Sequence, residues 1–109
     1  MTRSGIRIPA PIVPPVVHEG VRYAQITNGL IAGFDQMGGY LAAYAESGSE
    51  PLWTLRVYDN RRDPEREGDV QDVFFRSMTL REDGRLRIEN ERGATFLVDP
   101  TTRSVEPGD

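Results

Sequence analysis

The stretch RSMTLREDGRLRIENERGATFLVD, residues 76–99, decides the fold. Two glycines divide it into three short runs in which apolar and polar residues alternate, as expected for half-buried strands. Glu82-Asp83-Gly84 and Glu91-Arg92-Gly93 each fit a three-residue hairpin loop with glycine in the left-handed position. The stretch therefore predicts three antiparallel strands that follow one another as a β-meander.

These two loops fix which residues of neighbouring strands face each other. The predicted pairs are Leu80 with Leu86, Met78 with Ile88, Ile88 with Phe96, and Leu86 with Val98. All of these apolar side chains fall on one face of the sheet, whereas Thr79, Arg87 and Leu97 fall on the other. A slip of one residue would turn the apolar set toward water, so the register is well specified.

Another hairpin is predicted around Asn28-Gly29, the dipeptide best suited to a two-residue type I′ turn. Its strands would cover residues 21–27 and 30–35. In this register the facing pairs are Ile26 with Ile31, Tyr23 with Phe34, and Arg22 with Asp35. An aromatic pair and an ion pair across adjacent positions both favour the hairpin.

Turns at residues 36–39, 47–51 and 99–102 predict further strands at 40–46, 52–58 and around 104–106. In residues 52–58 an apolar set that includes Trp53 alternates with a mixed set, so Trp53 is expected in the core. Each half of the chain then carries about four short strands. We predict an all-β fold of about eight short antiparallel strands in meander order. A small barrel and a two-sheet sandwich both fit this pattern.

The composition divides the chain into an arm and a domain. Residues 1–15 form a proline-rich N-terminal arm, because each proline removes a backbone donor that a central strand needs. Its isoleucines leave two alternatives open, a flexible tail or an arm that docks on its own domain or on a neighbouring subunit. Residues 16–109 form a single β domain, whose halves 16–58 and 70–106 are joined by the charged loop 59–69. Within that loop, Asp63, Pro64 and Gly68 fit a capped single turn of helix.

Length and charge exclude several classes of protein. The 109 residues can bury a core without a metal or disulfide framework, and the chain has no cysteine. Its net charge of −4 disfavours nucleic acid as a partner, since phosphate binding depends on clustered positive charge. No apolar run resembles a membrane span or a signal peptide, so no membrane partner is predicted and the cytoplasm is the expected location. Every basic residue is arginine, which is typical of a GC-rich bacterial genome.

One segment, residues 39–58, resembles a turn of the PQQ-type β-propeller blade. In such blades an alanine-containing strand, an Asp/Thr-Gly turn and a tryptophan-bearing strand follow one another, as do Tyr40-Leu41-Ala42-Ala43, Ser47-Gly48 and Leu52-Trp53 here. Ala45 stands where the blades carry Asp, and the interval from Gly48 to Trp53 is one residue longer. The resemblance implies a shared strand-turn-strand geometry and carries no propeller function, because a propeller needs several blades.

The sequence offers little catalytic or cofactor chemistry. His18 is the only histidine, so a catalytic triad or a zinc site has no second imidazole or thiol to build on. No phosphate-binding loop or dinucleotide fingerprint occurs, and no cofactor is predicted. An acidic run is interleaved with arginines and lacks the spacing of a calcium loop, so we interpret it as a solvated charged loop. It comprises Asp63, Glu65, Glu67, Asp69 and Asp72.

Residues that could contact a partner are expected in and beside this charged loop. Arginine and tyrosine are enriched at binding hot spots, and loops on a rigid scaffold often carry recognition. The candidate partner-binding residues are Arg56, Tyr58, Arg61, Arg62, Glu65, Asp69 and Asp72.

Three functions are weighed against one another. The leading hypothesis is a non-catalytic module that recognises another protein through a sheet edge, the charged loop or the arm, or that self-associates through the arm. The second is a small-ligand carrier with an apolar cavity inside a barrel. The room for that cavity would come from Ala32, Gly33, Ala42, Ala43 and Ala45. The third, a hydrolase, finds no acid–base constellation to support it.

Overall fold

A computed structural model describes residues 12–29, 32–34, 36, 38–59 and 73–108 of the chain. These residues form two four-stranded antiparallel sheets, each a simple meander. The first sheet contains β1 (Val16–His18), β2 (Val21–Ile26), β3 (Tyr40–Ala45) and β4 (Pro51–Arg56). The second contains β5 (Phe75–Leu80), β6 (Leu86–Asn90), β7 (Thr95–Asp99) and β8 (Ser104–Pro107). The predicted all-β meander is confirmed. Because the two sheets remain separate, the arrangement is a sandwich and the barrel alternative is wrong.

The second sheet has the register that the sequence predicts. Leu80 pairs with Leu86 and Met78 with Ile88, and the next hairpin pairs Ile88 with Phe96 and Leu86 with Val98. Gly84 and Gly93 have φ angles of 87° and 86°, the left-handed conformation expected of them. Leu80 departs from the pattern only in burial, since it ends its strand and is 38% exposed.

The hairpin predicted at Asn28-Gly29 is wrong. The strand β2 pairs with β3 instead, so that Tyr23 faces Ala43 and Ile26 faces Tyr40. A type I′ turn needs positive φ at both central residues, and neither Asn28 nor Gly29 has it. Their carbonyls accept hydrogen bonds from Ala32 N and Phe34 N, at 3.2 and 2.8 Å, in a wider turn. The predicted partners Ile31 and Asp35 lie outside the described residues.

Burial explains why the longer-range pairing wins over the local turn. Pairing with β3 places Leu41 and Ala43 in the core beside Tyr23, and both are completely buried. Phe34 packs against Tyr40, with ring centroids 4.2 Å apart and planes tilted by 31°, rather than against Tyr23. A favourable turn dipeptide contributes little to the free energy of folding compared with the removal of this apolar surface from water.

The type I′ hairpin of the first sheet occurs nine residues earlier, at Glu19-Gly20. These two residues have φ angles of 54° and 79°, and His18 pairs directly with Val21 across the turn. Glutamate is a less frequent left-handed residue than asparagine or aspartate, so the dipeptide gives a weak signal in the sequence.

Side chains from both sheets form one core. The largest completely buried residues are Phe75, Leu41, Leu86, Ile88 and Val98. The prediction of a core Trp53 holds only in part, because its ring is half-buried at the margin. There it packs 6.1 Å from the Tyr23 ring and lies under the Arg103 guanidinium, 5.4 Å from the ring centroid.

Side-chain hydrogen bonds stabilise one end of the sandwich, and one of them joins its two halves. Gln25 Oε1 in β2 accepts a 2.7 Å hydrogen bond from the backbone N–H of Phe75 in β5. The amide of Gln36, which is 3% exposed, donates to the carbonyls of Gly38 and Tyr58 at 2.7 and 2.9 Å. Each bond satisfies a backbone group that would otherwise be buried without a partner.

The structure describes only residues 12–15 of the predicted N-terminal arm and only Asp59 of the charged loop 59–69. Residues 1–11 and 60–72, including the predicted helical turn at 63–68, lie outside the described residues. At the end of the arm, Val13 packs against the core whereas Ile12 is 95% exposed. In the described part of the chain, no helix is long and apolar enough to cross a membrane.

Candidate binding face and turn-end cavity

Two of the seven predicted partner-binding residues can be placed in the structure. The other five lie outside the described residues and stay predictions: Arg61, Arg62, Glu65, Asp69 and Asp72. Arg56 ends β4 and is exposed. Since Leu55 faces the core, Arg56 lies on the outer face of the first sheet, where it pairs with Tyr40. This position suits a contact residue.

Tyr58 has a structural task instead. Its ring stacks on Phe96 with centroids 5.1 Å apart, and lies 6.2 Å from the ring of Phe75. Its hydroxyl donates a 2.7 Å hydrogen bond to the carbonyl of Val73. Burial, and then the charge of Glu91, raise the pKa of Tyr58 well above its ordinary value. The side chain therefore joins the two halves of the sandwich as a neutral phenol.

This burial predicts a loss of stability in alkali. The chain has no lysine and no cysteine, so its four tyrosines are the side chains that titrate between about pH 9 and 12. A tyrosine with a raised folded-state pKa stabilises the fold below its unfolded pKa of about 10, and this contribution is lost as the pH rises further. We expect the free energy of unfolding, measured in urea, to fall above pH 10 by up to about 1 kcal/mol per pH unit for Tyr58.

Tyr58→Phe should flatten that alkaline decline, although it should lower stability at pH 8 by about 1 kcal/mol through the lost hydrogen bond. Tyr44→Phe is the matched control, because the Tyr44 ring lies on the outer face under Arg22. Equal alkaline slopes for Tyr58→Phe and the wild-type protein would contradict the assigned role of Tyr58.

The outer face of the first sheet combines exposed apolar, aromatic and arginine side chains. We call it the binding face and define it by Val17, Arg22, Tyr44, Leu52, Thr54 and Arg56. Val17 and Leu52 are 49% and 59% exposed. The Arg22 guanidinium lies 4.4 Å from the centroid of the Tyr44 ring and donates a 2.6 Å hydrogen bond to Gly48 O. Leu52 projects from a bulge, since the register shifts between Ala43 and Tyr44.

Charge also distinguishes the binding face. Its only ionisable side chains other than tyrosine are two arginines, Arg22 and Arg56, on a protein whose net charge is −4. The outer face of the second sheet carries carboxylates as well as arginines, in the ion pairs of Arg76 with Glu89 and of Arg85 with Glu106. Such pairing is typical of a solvated sheet surface that resists association.

A polar cavity of about 260 Å³ lies at the end of the sandwich where three hairpin turns meet. We call it the turn-end cavity. The β1–β2, β5–β6 and β7–β8 turns each contribute an acidic residue, and Tyr23 reaches it from the core. Its lining consists of His18, Glu19, Tyr23, Asp83, Gly84, Asp99, Pro100 and Thr101. The His18 and Glu19 side chains approach each other to 3.8 Å. Among the described residues, no group of three or more acidic, histidine or cysteine side chains is placed to hold a metal ion.

The small residues invoked for a carrier cavity do not come together. Only Ala43 belongs to the core cluster. Ala42 lies on the opposite face of β3, and three others are exposed at the surface: Ala32, Gly33 and Ala45. A second cavity, of about 200 Å³, lies at the far end between Tyr58, Asn90 and Arg92. The carrier hypothesis stays a prediction without a geometric basis in the described part of the chain.

Comparison with known proteins adds no functional assignment. No protein-family model, no curated protein and no solved structure matches the chain. Any functional argument therefore depends on the binding face and the turn-end cavity themselves.

Proposed function

We propose that this protein is a non-catalytic protein-binding module of the inhibitor, immunity-protein or assembly-factor type, acting in a bacterial cytoplasm. The observation that carries the proposal is the exposure of Val17 and Leu52 on the same sheet face as Tyr44 and Arg56. Tyrosine and arginine are the residues most enriched at protein–protein hot spots.

The strand pairing keeps this face rigid, so little conformational entropy would be lost on binding. Arg22 is already fixed by its hydrogen bond to Gly48 and by stacking on Tyr44. Charge complementarity then describes the partner. It is a protein surface with an apolar centre for Leu52 and Val17, and with carboxylates at its rim to face the two arginines.

Site-specific photo-crosslinking in native host cells tests the proposal. A benzoylphenylalanine at position 52 should give one discrete adduct with another protein. The same residue at position 79, exposed on the second sheet's outer face, should give none. Arg56→Glu should suppress the adduct at position 52, because it places a carboxylate opposite the partner's carboxylates.

The controls separate loss of binding from loss of folding. Positions 52 and 79 are both exposed, so both photo-reactive proteins should keep the wild-type melting temperature. Equal adducts from both faces, no adduct from either, or an adduct that Arg56→Glu leaves unchanged would each overturn the binding face as the partner site.

A further inference from the structure

The turn-end cavity holds negative charge that the fold does not neutralise. Asp83 is compensated, because its two carboxylate oxygens accept 3.0 Å hydrogen bonds from the backbone N and Nε of Arg85. Asp99 uses one oxygen, Oδ1, to cap its turn, accepting from Thr101 N at 2.9 Å. The described residues offer no partner to Asp99 Oδ2. Among the described residues, Glu19 has only His18 within ion-pair distance, and its side chain is 82% exposed.

A second observation comes from Tyr23, which reaches the cavity from the core. The residue is only 6% exposed, and its ring packs against Trp53. Its hydroxyl has no hydrogen-bond partner in the described ranges, although buried polar groups in folded proteins are nearly always paired. Burial, and then the charge of Glu19, raise the pKa of Tyr23, so the hydroxyl stays neutral and offers its oxygen as an acceptor.

We propose that the turn-end cavity binds an organic cation, a primary ammonium or a guanidinium group. Such a group would donate hydrogen bonds to Asp99 Oδ2 and the Tyr23 hydroxyl oxygen, with the Glu19 carboxylate beside it. Ammonium and guanidinium groups carry several donors and no acceptor, which suits the free carboxylate oxygen of Asp99 and the hydroxyl oxygen of Tyr23. Charge-assisted hydrogen bonds of this kind are also stronger than neutral ones.

Size favours a group as large as one side chain. The cavity of about 260 Å³ is smaller than the range of about 300–1,000 Å³ that is usual for drug-sized ligands. The cation can come from a free amine or from a lysine or arginine side chain of a partner protein. This site shares no residue with the binding face, so each proposal can fail without the other.

Amide chemical shifts measured by NMR on the full chain test the inference. We expect methylguanidinium and n-butylammonium to shift the amides of Glu19, Gly84 and Thr101 saturably, and urea and n-butanol to leave them unchanged. Asp99→Asn keeps the capping oxygen and removes the charge, and it should weaken binding about tenfold or more. Tyr23→Phe keeps the ring and removes the acceptor, and it should weaken binding severalfold.

Matched controls remove the same groups elsewhere. Glu50→Gln deletes one negative charge, and Thr79→Val deletes one hydroxyl, from exposed residues that do not line the cavity. Both variants should bind methylguanidinium and n-butylammonium as the wild-type protein does. Unchanged melting temperatures of Asp99→Asn and Tyr23→Phe would show that weaker binding does not reflect unfolding.

The source of the cation is decided by comparing probes. If lysine or arginine with both backbone ends capped as amides binds more tightly than putrescine and spermidine do, the natural cation is a side chain of a partner protein. If putrescine or spermidine binds more tightly than the capped amino acids do, the natural cation is a free amine. The proposal is overturned if no cation gives saturable shifts, if the neutral analogues shift the same amides equally, or if Asp99→Asn and Glu50→Gln weaken binding equally.

Discussion

Replacing Phe75 by alanine should lower the free energy of unfolding by about 3–5 kcal/mol. Phe75 is completely buried at the start of the second sheet, and its ring contacts Tyr58, which belongs to the first half of the chain. Removal of the ring leaves a cavity between the two halves as well as losing buried apolar surface. Since domains of this size have total stabilities of about 5–15 kcal/mol, the variant should lose a large fraction of its stability.

Equilibrium unfolding in urea, followed by the fluorescence of the single tryptophan, measures this loss. Phe75→Leu is the matched control, because it keeps most of the volume and should cost about 1.5 kcal/mol or less. Leu80→Ala, at a position that is 38% exposed, should also cost much less than Phe75→Ala. A loss at Leu80 as large as that at Phe75 would contradict the assigned core.

Gly39→Ala should cost much more stability than the strained backbone conformation at this position explains by itself. Gly39 has a φ angle of 92°, in the region where an L side chain costs about 1–2 kcal/mol. An added Cβ would also lie 2.8 Å from the carbonyl oxygen of Tyr58 and 2.7 Å from Gln36 Nε2. Those two atoms form the partly buried 2.9 Å hydrogen bond that holds the Gln36 side chain against Tyr58. We expect a total loss of about 2–5 kcal/mol, since an unsatisfied group adds about 1–3 kcal/mol to the backbone cost of about 1–2 kcal/mol.

Gly84→Ala supplies the control for Gly39→Ala. Gly84 has nearly the same φ angle, 87°, but an added Cβ there would meet nothing within 4 Å. Its loss of stability should therefore contain only the backbone cost of about 1–2 kcal/mol. The difference in unfolding free energy between the Gly39→Ala and Gly84→Ala variants gives the cost of the steric clash at Gly39. Equal losses would mean that Gly39 is not in close contact with Tyr58 and Gln36.

The second sheet could be predicted from the sequence because its signals are local. Glycine occupies both left-handed loop positions, and the alternation between Met78 and Val98 leaves one register that buries the apolar set. Local turn chemistry and long-range burial favour the same structure there, so neither has to override the other.

In the first sheet these two signals conflict. Asn28-Gly29 favours a hairpin with residues 30–35, whereas burial favours the pairing of β2 with Tyr40–Ala45. The value of completely burying Leu41 and Ala43 depends on the second sheet, which supplies the surface they pack against. A pattern read along one stretch of chain does not contain that information, and the local prediction fails.

The turn-end cavity depends on topology in the same way. Glu19, Asp83 and Asp99 are far apart in the sequence. Glu19 and Asp83 lie in turns, and Asp99 ends the strand that leads into a turn. In a meander, however, every second turn returns to the same end. Once the strand order is known, the acidic residues of the β1–β2, β5–β6 and β7–β8 turns are expected near one another. The orientation of Tyr23 toward them requires the packed core and has no counterpart in the sequence pattern.

The central claim is that the two meanders stack face to face, since this stacking creates the core, isolates the binding face and brings the three turns together. Proton–proton NOEs between the rings of Tyr58 and Phe96, whose centroids are 5.1 Å apart, test it most directly. We expect strong NOEs between these two rings, and between the side chains of Trp53 and Arg103. A spectrum in which every long-range NOE stays within residues 12–59 or within residues 73–108 would contradict the claim.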